Sequence, residues 1–228
     1  AIMVVGLRCV VCGEEIEISR PFSWTCPRAT ETDPFHVLEF VDDGAPPTIE
    51  IYRGESNPFV RYRERMGWWA FARANGMSDD DTVDLARSVA GQFSVTPLQP
   101  HDGLSDFIDR SVWAKNETVG VSGSHKSRHL VGIMLHLIAA EQLGMLTERP
   151  PLAISSCGNA ALAAAMVASS QGWPLRVFVP TWMDDTFGSG LDALGAEVNR
   201  CERTASAVGD PAMSAFRETV SQGAIPFS

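Results

Sequence analysis

Residues 151–180, PLAISSCGNAALAAAMVASSQGWPLRVFVP, carry the pattern that decides the fold. A short apolar segment at residues 152–155 is followed by a polar turn and then by an alanine-rich stretch that Gly172 closes. A second apolar segment follows at residues 175–179. Short apolar runs between turns are typical of buried strands, and a long alanine-rich stretch favours a helix. The segment therefore predicts a strand–helix–strand unit.

The same alternation continues towards the end of the chain. The residue pattern predicts a helix at 184–194, a strand at 196–201, a helix at 212–221 and an extended segment at 224–227. Strands that alternate with helices across short loops imply right-handed crossovers and a parallel sheet. The predicted fold class is therefore α/β, built from βαβ units on a parallel sheet.

The residues before this sheet have a different sequence pattern. Residues 1–50 combine cysteines, an alternating stretch at 15–18 and a turn-rich stretch at 42–47, which together favour a small β-rich module and a linker. Helical periodicity starts near Pro58, and Ser78 is the expected cap of a second helix. We divide the chain into the β-rich module and linker at 1–50, the first part of a larger domain at 51–150, and a small βαβ domain at 151–228.

Composition excludes several classes of partner. The chain has 228 residues, 45% of them hydrophobic, and a formal net charge of -10. This acidity argues against nucleic acid or an anionic membrane as a partner, because both favour basic surfaces. Its apolar runs are too short for a membrane span. Five cysteines in a chain of this length do not form a disulfide framework, so we expect a reducing, cytoplasmic location.

A polar loop at residues 121–129, VSGSHKSRH, places Lys126 directly before a long apolar stretch. A cation in the first turn of a helix opposes the helix dipole, so this position calls for an explanation. A lysine amine can form a Schiff base with a carbonyl compound, while backbone N–H groups at a helix start favour an anion. Pyridoxal phosphate carries both an aldehyde and a phosphate. The loop therefore suggests a pyridoxal-phosphate site.

A second polar turn, SSCGNA at residues 155–160, joins the first strand of the βαβ unit to its helix. Ligands of open α/β sheets bind beyond the carboxyl ends of the strands, where this turn lies. Its hydroxyls and backbone N–H groups suit a substrate carboxylate. The alternative is plain helix capping by Asn159, with Ser155 and Ser156 as turn residues.

Together the two turns resemble the fold type II pyridoxal-phosphate enzymes, the superfamily of the tryptophan synthase β-subunit. Within it, the cysteine-bearing N-terminus, the helical lead-in and the final segment 225–228 are most similar to threonine synthase. The resemblance implies that Lys126 is the Schiff-base lysine and that Asn159 bonds the ring hydroxyl of the cofactor. His125 stands next to the cofactor, as in tryptophan synthase β-subunits, where many other members have Phe. The residues that would receive the substrate carboxylate are Ser155, Ser156, Cys157, Gly158 and Ala160.

The resemblance implies elimination or replacement at the β- or γ-carbon of an amino acid, by a lyase or synthase in which Lys126 is also the general base. Two alternatives remain: a serine/threonine-type ammonia-lyase, and a catalytically silent homologue or subunit. The glycine-rich phosphate loop of the family is not found before Ser228. We therefore expect a fold that is incomplete at its C-terminus, to be completed by a missing segment or a second chain, and a homo-oligomer.

The N-terminal cysteines form a separate motif. Cys9 and Cys12, followed by Cys26, resemble a zinc ribbon whose second pair would need a cysteine at Ala29. Three thiolates would need His36 or another donor to complete a zinc site. We interpret this module as a degenerate ribbon and expect no metal.

Overall fold

The N-terminal module is a small antiparallel sheet. The computed structural model describes residues 4–44, 54–204 and 209–228. Strands β1 (Val4–Cys9), β2 (Glu15–Glu17) and β3 (Leu38–Asp42) lie in the order β2-β1-β3. Leu7 of β1 is opposite Ile16 on one side and Phe40 on the other. The predicted β-rich module is thereby confirmed.

The helical pattern that starts near Pro58 is divided into three pieces. Helix α1 (Pro58–Arg61) leads into a 3-10 turn (Arg63–Arg65), and α2 (Gly67–Ala74) follows after Met66, whose backbone is extended. Helix α3 (Asp79–Ala90) begins after Ser78, whose hydroxyl accepts the Asp81 N–H. The predicted cap at Ser78 is confirmed, and it satisfies one of the free N–H groups of the first turn.

A two-stranded ribbon precedes the lysine loop. It pairs β4 (Leu98–Pro100) with β5 (Trp113–Lys115) in antiparallel fashion, and α4 (Asp102–Ile108) lies between them. Strand β5, which precedes the lysine loop, therefore belongs to this ribbon and not to the parallel sheet. Helix α5 (Lys126–Gln142) comes next and buries apolar side chains on most sides, among them Leu130, Met134 and Leu135.

The C-terminal part contains a four-stranded parallel sheet. Its strands are β6 (Leu152–Ser155), β7 (Leu175–Pro180), β8 (Glu197–Cys201) and β9 (Ile225–Pro226), in the order β8-β7-β6-β9. They alternate with α6 (Asn159–Ser170), α7 (Asp185–Ala193) and α8 (Pro211–Ser221). All three strand pairs are parallel. The predicted α/β class with βαβ units is confirmed.

Helices cover both faces of this sheet. Leu152, Ile154 and Val177 on one face join the main apolar core, which also contains residues of α2, α3, α5 and α6. Ala153 and Phe178 on the other face pack with Ala212 of α8. Both faces are therefore buried, as parallel sheets require.

No helix within residues 4–44, 54–204 and 209–228 is long and apolar enough to cross a bilayer. The division of the chain into three segments stays a prediction. Its boundary between residues 50 and 51 lies outside the described residues.

Candidate active site

Lys126 is the first residue of α5, and the loop before it makes a tight reversal. Ser122 and Gly123 both have a left-handed backbone, with φ of 65° and 64°. Glycine adopts this conformation freely, whereas serine does so at a cost of about 1 kcal/mol. The buried Ser127 hydroxyl donates a hydrogen bond to the Val121 carbonyl at 2.7 Å. This bond fastens the loop to the first turn of α5 and so fixes the position of Lys126.

The amine of Lys126 forms no hydrogen bond or ion pair with any described residue. The sequence contains two lysines, Lys115 and Lys126. Lys115 donates to the Thr96 carbonyl, and its Nζ lies 3.9 Å from Glu117 Oε1. Lys126 thus offers the one lysine amine that the described protein leaves without a partner.

A charged cluster beside the lysine loop connects it to the ribbon. Arg128 Nε donates to Glu117 Oε2 at 2.9 Å, and the Thr96 hydroxyl donates to Glu117 Oε1 at 2.8 Å. Arg128 Nη2 also donates to Thr96 Oγ1 at 3.0 Å. Burial acts to raise the pKa of Glu117, but the hydrogen bonds from Arg128 and Thr96 outweigh it and hold the pKa below its usual value. The carboxylate therefore stays charged and secures the first turn of α5.

Two histidines flank the lysine in the sequence. His125 is exposed at the N-cap position of α5, and its side chain makes no capping hydrogen bond. Desolvation lowers the pKa of His129, and the positive charges of Lys126 and His125 lower it further. Residues three apart share a helix face, so His129 lies on the side of Lys126. Sequence reasoning missed this residue, although its spacing was a usable signal.

The second predicted turn forms the start of α6. Gly158 is its N-cap residue and Asn159 its first helical residue, and the N-cap makes no side-chain hydrogen bond. The alternative in which Asn159 caps the helix is therefore wrong, because Asn159 lies one position too late. Cys157 and Asn159 are exposed, while Ser155 and Ser156 are partly buried. The helix start presents N–H groups with no side-chain cap, which suits an anion.

The two loops lead into neighbouring helices and make no hydrogen bond or ion pair with each other among the described residues. Helices α5 and α6 pack against each other, and the turn at Val121–Gly123 also contacts α6. Met166 of α6 lines a cleft together with Ser124 and Ser127. Among described residues, no hydrogen bond or ion pair connects residues 121–129 with residues 155–160. The helices that carry the predicted lysine and carboxylate residues are thus neighbours in the fold.

Residues 89–225, more than half of the chain, match the family model described as pyridoxal-phosphate dependent enzyme. Cysteine synthase B of Salmonella typhimurium is 27% identical over 103 residues, which are 45% of this chain and 33% of that protein.

Solved structures of other proteins are similar to part of this chain. O-acetyl serine sulfhydrylase isoform 3 from Entamoeba histolytica has a TM-score of 0.50 at 19% identity, covering 60% of this chain and 41% of its own. Maize serine racemase has a TM-score of 0.47 at 15% identity, covering 65% of this chain and 43% of its own. The chain spans about a third of the curated relative it matches and less than half of these solved chains.

Proposed function

The chain belongs to the family of pyridoxal-phosphate-dependent enzymes, of fold type II in the tryptophan synthase β-subunit superfamily, and from this we propose that it catalyses elimination or replacement at the β- or γ-carbon of an amino acid. One observation carries the proposal. The partner-free amine of Lys126 stands at the start of a buried helix, in a loop fastened by Ser127 and by the Glu117–Arg128 pair.

The cofactor of this family is pyridoxal 5'-phosphate. When bound, it supplies an electron-poor ring that stabilises negative charge at the substrate α-carbon. The donors of this chain fit its aldehyde end: a lysine amine without a competing partner, an exposed amide at Asn159, and a helix start without a side-chain cap. Asn159 would hold the cofactor through its ring hydroxyl, and His125 would contact the ring.

Lys126 has two roles in this proposal. Its Nζ would hold the cofactor at its aldehyde carbon, and the same nitrogen would accept the α-proton of the substrate. Both roles need a neutral amine at a fixed position. The hydrogen bonds of Ser127 and Arg128 fasten the loop and so provide that position.

The start of α6 is the proposed site for the substrate carboxylate. Its donors are the hydroxyls and backbone N–H groups of Ser155, Ser156, Cys157, Gly158 and Ala160. A thiol is a weak hydrogen-bond donor, so at Cys157 the backbone N–H contributes more than the side chain. The two serine hydroxyls and the helix start therefore supply most of the binding.

Within this reaction class we propose that the chain is threonine synthase-like. The support is the antiparallel N-terminal module, which packs against α5 through Phe22 and Trp24. A panel of phosphohomoserine, L-threonine and L-serine tests this point on the full-length protein. Turnover of phosphohomoserine to threonine is expected. Release of ammonia from serine or threonine alone would assign the chain to the ammonia-lyases instead.

Covalent labelling tests the cofactor lysine. The full-length protein is incubated with pyridoxal phosphate, reduced with borohydride and digested, and the peptides are analysed by mass spectrometry. We expect the added mass on Lys126, loss of labelling in Lys126→Ala, and retention in the control Lys115→Ala. Labelling of Lys115 in the wild type, or no labelling at either lysine, would refute the proposal and favour a catalytically silent protein.

A further inference from the structure

Four side chains of the N-terminal module converge on one point. Atoms of Cys9, Cys12, Cys26 and His36 that can bind a metal all lie within 4.8 Å of one another. Cys9 Sγ is 3.4 Å from His36 Nδ1, and Cys12 Sγ is 3.6 Å from Cys26 Sγ. In a tetrahedral zinc site, bonds of about 2.3 Å to sulfur and 2.0 Å to nitrogen place the ligands about 3.5–3.8 Å apart. These two separations match this geometry, and the other pairs of ligand atoms lie within 4.8 Å.

We propose that Cys9, Cys12, Cys26 and His36 bind one zinc ion. Three thiolates and one imidazole make a closed, four-coordinate set of the structural type. Cys9 and Cys26 are almost fully buried, and the His36 side chain is 4% exposed. A set that is closed and shielded in this way leaves no open position for a substrate, so the ion stabilises structure.

The backbone around the cysteines has the form that a thiolate–metal turn needs. Gly13 has a left-handed backbone with φ of 75°, and its N–H donates to the Cys9 carbonyl at 2.9 Å. The backbone N–H groups of Val11 and Cys12 favour the charged form of the Cys9 sulfur. The Arg28 N–H donates to Cys26 Sγ at 3.4 Å. These donors stabilise negative charge on two of the three sulfurs.

The position of the fourth ligand explains why the zinc-ribbon motif lacks a cysteine at Ala29. Residues 26–29 form a second turn, closed by a hydrogen bond from the Ala29 N–H to the Cys26 carbonyl at 3.0 Å. Ala29 has no ligand atom, and His36 reaches the cluster from the next loop. His36 Nε2 lies 3.2 Å from Asp33 Oδ2, which leaves Nδ1 facing the cysteines. A carboxylate behind a ligating histidine is a common support of zinc sites. This arrangement argues against the expected metal-free, degenerate ribbon.

The ion would fasten a module that has little core of its own. The buried hydrophobic residues of the described part of this module are Val4, Cys9, Ile16 and Cys26. Between the two cysteine turns, Phe22 and Trp24 pack on His136 of α5, with ring centroids 6.2 Å and 5.6 Å apart. Small modules of this kind depend on a metal or disulfides for stability. The zinc site therefore holds the module against the helix that begins with Lys126.

Metal analysis of the full-length protein, purified with reductant, tests the proposal. We expect about one zinc ion per chain and, after exchange for Co²⁺, the intense visible bands of tetrahedral thiolate coordination. Less than a tenth of an equivalent after incubation with excess Zn²⁺ and reductant would overturn it. A Cys12–Cys26 disulfide that persists under reductant would overturn it as well.

Variants at several positions identify the zinc ligands, so the test does not depend on the folding of a single variant. Cys26→Ser is expected to lose stoichiometric zinc, whereas Cys201→Ser, outside the module, retains it. His36→Cys should retain zinc and shift the cobalt bands, because four sulfurs replace three. Asp33→Asn should weaken zinc binding about tenfold in chelator competition. Unchanged zinc affinity in Asp33→Asn, together with unchanged cobalt bands in His36→Cys, would remove His36 from the site.

Discussion

Arg128 Nε lies 2.9 Å from Glu117 Oε2 and so ties the first turn of α5 to the segment that follows β5. Thr96, just before β4, hydrogen-bonds to both side chains. Lys126 lies in the segment between Glu117 and Arg128, and this contact brings the two ends of that segment together. The position of Lys126 therefore depends on a contact between residues eleven apart, as well as on its own helix.

Replacing Glu117 with Gln should lower the free energy of unfolding by about 1–2 kcal/mol, because hydrogen bonds to a charged group are lost. Hydrogen exchange at residues 121–126 should become faster. Glu197→Gln is the matched control: its Arg176 Nε contact of 3.1 Å is similar, but both side chains are more exposed. Exposed pairs contribute little, so the control should change stability by less than about 0.5 kcal/mol. Equal effects of the two variants would contradict this role for Glu117.

The sign of the pH dependence at Glu117 follows from its lowered pKa. The carboxylate stabilises the folded protein above the ordinary glutamate pKa, and this stabilisation is lost as pH falls through the lower folded value. The difference in unfolding free energy between wild type and Glu117→Gln should therefore be largest near neutral pH. Urea titrations from pH 7 down to pH 4 measure it.

Asp79 anchors the start of α3 to a buried arginine. Arg63, 5% exposed at its side chain, donates to both carboxylate oxygens of Asp79, and Trp69 Nε1 donates to Asp79 Oδ1 at 3.3 Å. Hydrogen bonding and the charge of Arg63 lower the pKa of Asp79 despite its partial burial. Asp79→Asn should cost about 2 kcal/mol, less than a fully buried pair because Asp79 is partly exposed.

The control for Asp79 lies in the same helical turn. Asp80 is exposed and shares the favourable interaction with the helix dipole. Asp80→Asn should therefore cost no more than about 0.5 kcal/mol in urea denaturation. If both variants destabilise equally, the helix dipole rather than the Arg63 pair accounts for the effect.

His136 should make the protein sensitive to mild acid. Its ring packs against Phe71, Phe22 and Trp24, and its Nε2 is buried without a hydrogen-bond partner among the described residues. Burial lowers the pKa of His136 to about 4. Below pH 6.5 His136 takes up a proton in the unfolded chain but not in the folded protein. The free energy of unfolding therefore decreases as the pH is lowered. The loss attributable to His136 should be about 2 kcal/mol between pH 7 and pH 5.

His136→Phe should remove this dependence and raise stability at pH 5, because no polar atom is left buried. His101→Asn serves as the control. His101 accepts the Leu104 N–H at the start of α4, and asparagine can retain that cap. Chemical denaturation at pH 7, 6 and 5 compares the three proteins. A pH dependence of His136→Phe equal to that of the wild type would show that another group is responsible.

The parallel sheet was predictable because each of its elements is defined locally. Strands β6 and β7 are short apolar runs between turn residues, and a glycine follows each of the three helices. The break between α1 and α2 was not predictable in this way. Gly67 lies against the Phe40 ring of β3, so closely that any Cβ there would overlap with it. That contact joins residues distant in the sequence, and periodicity carries no information about it.

The same distinction applies to the candidate site. Lys126 was identified from local rules, because a lysine among small residues opposes a helix dipole. Two contacts hold its position: the hydrogen bond from Ser127 to the Val121 carbonyl and the ion pair between Arg128 and Glu117. Both form when the loop closes and cannot be derived from residue spacing alone. The position of His36 in the cysteine cluster likewise depends on how the loop after Ala29 folds back. The types of residue in both sites could be predicted from the sequence. Which of them lie together could be seen only in the structure.

Cys157 offers a direct probe of the proposed carboxylate site. It is exposed in the turn before α6, whereas Cys201 is partly buried and burial raises the pKa of its thiol. Iodoacetamide should therefore label Cys157 faster than Cys201, since the thiolate is the reactive form.

If the turn binds the substrate carboxylate, L-serine added to the cofactor-loaded protein should slow labelling of Cys157 several-fold and leave Cys201 unchanged. Peptide mass spectrometry over a time course gives both rates from one sample. Equal labelling of Cys157 with and without L-serine, at concentrations that alter the absorption spectrum of the bound cofactor, would place the carboxylate elsewhere.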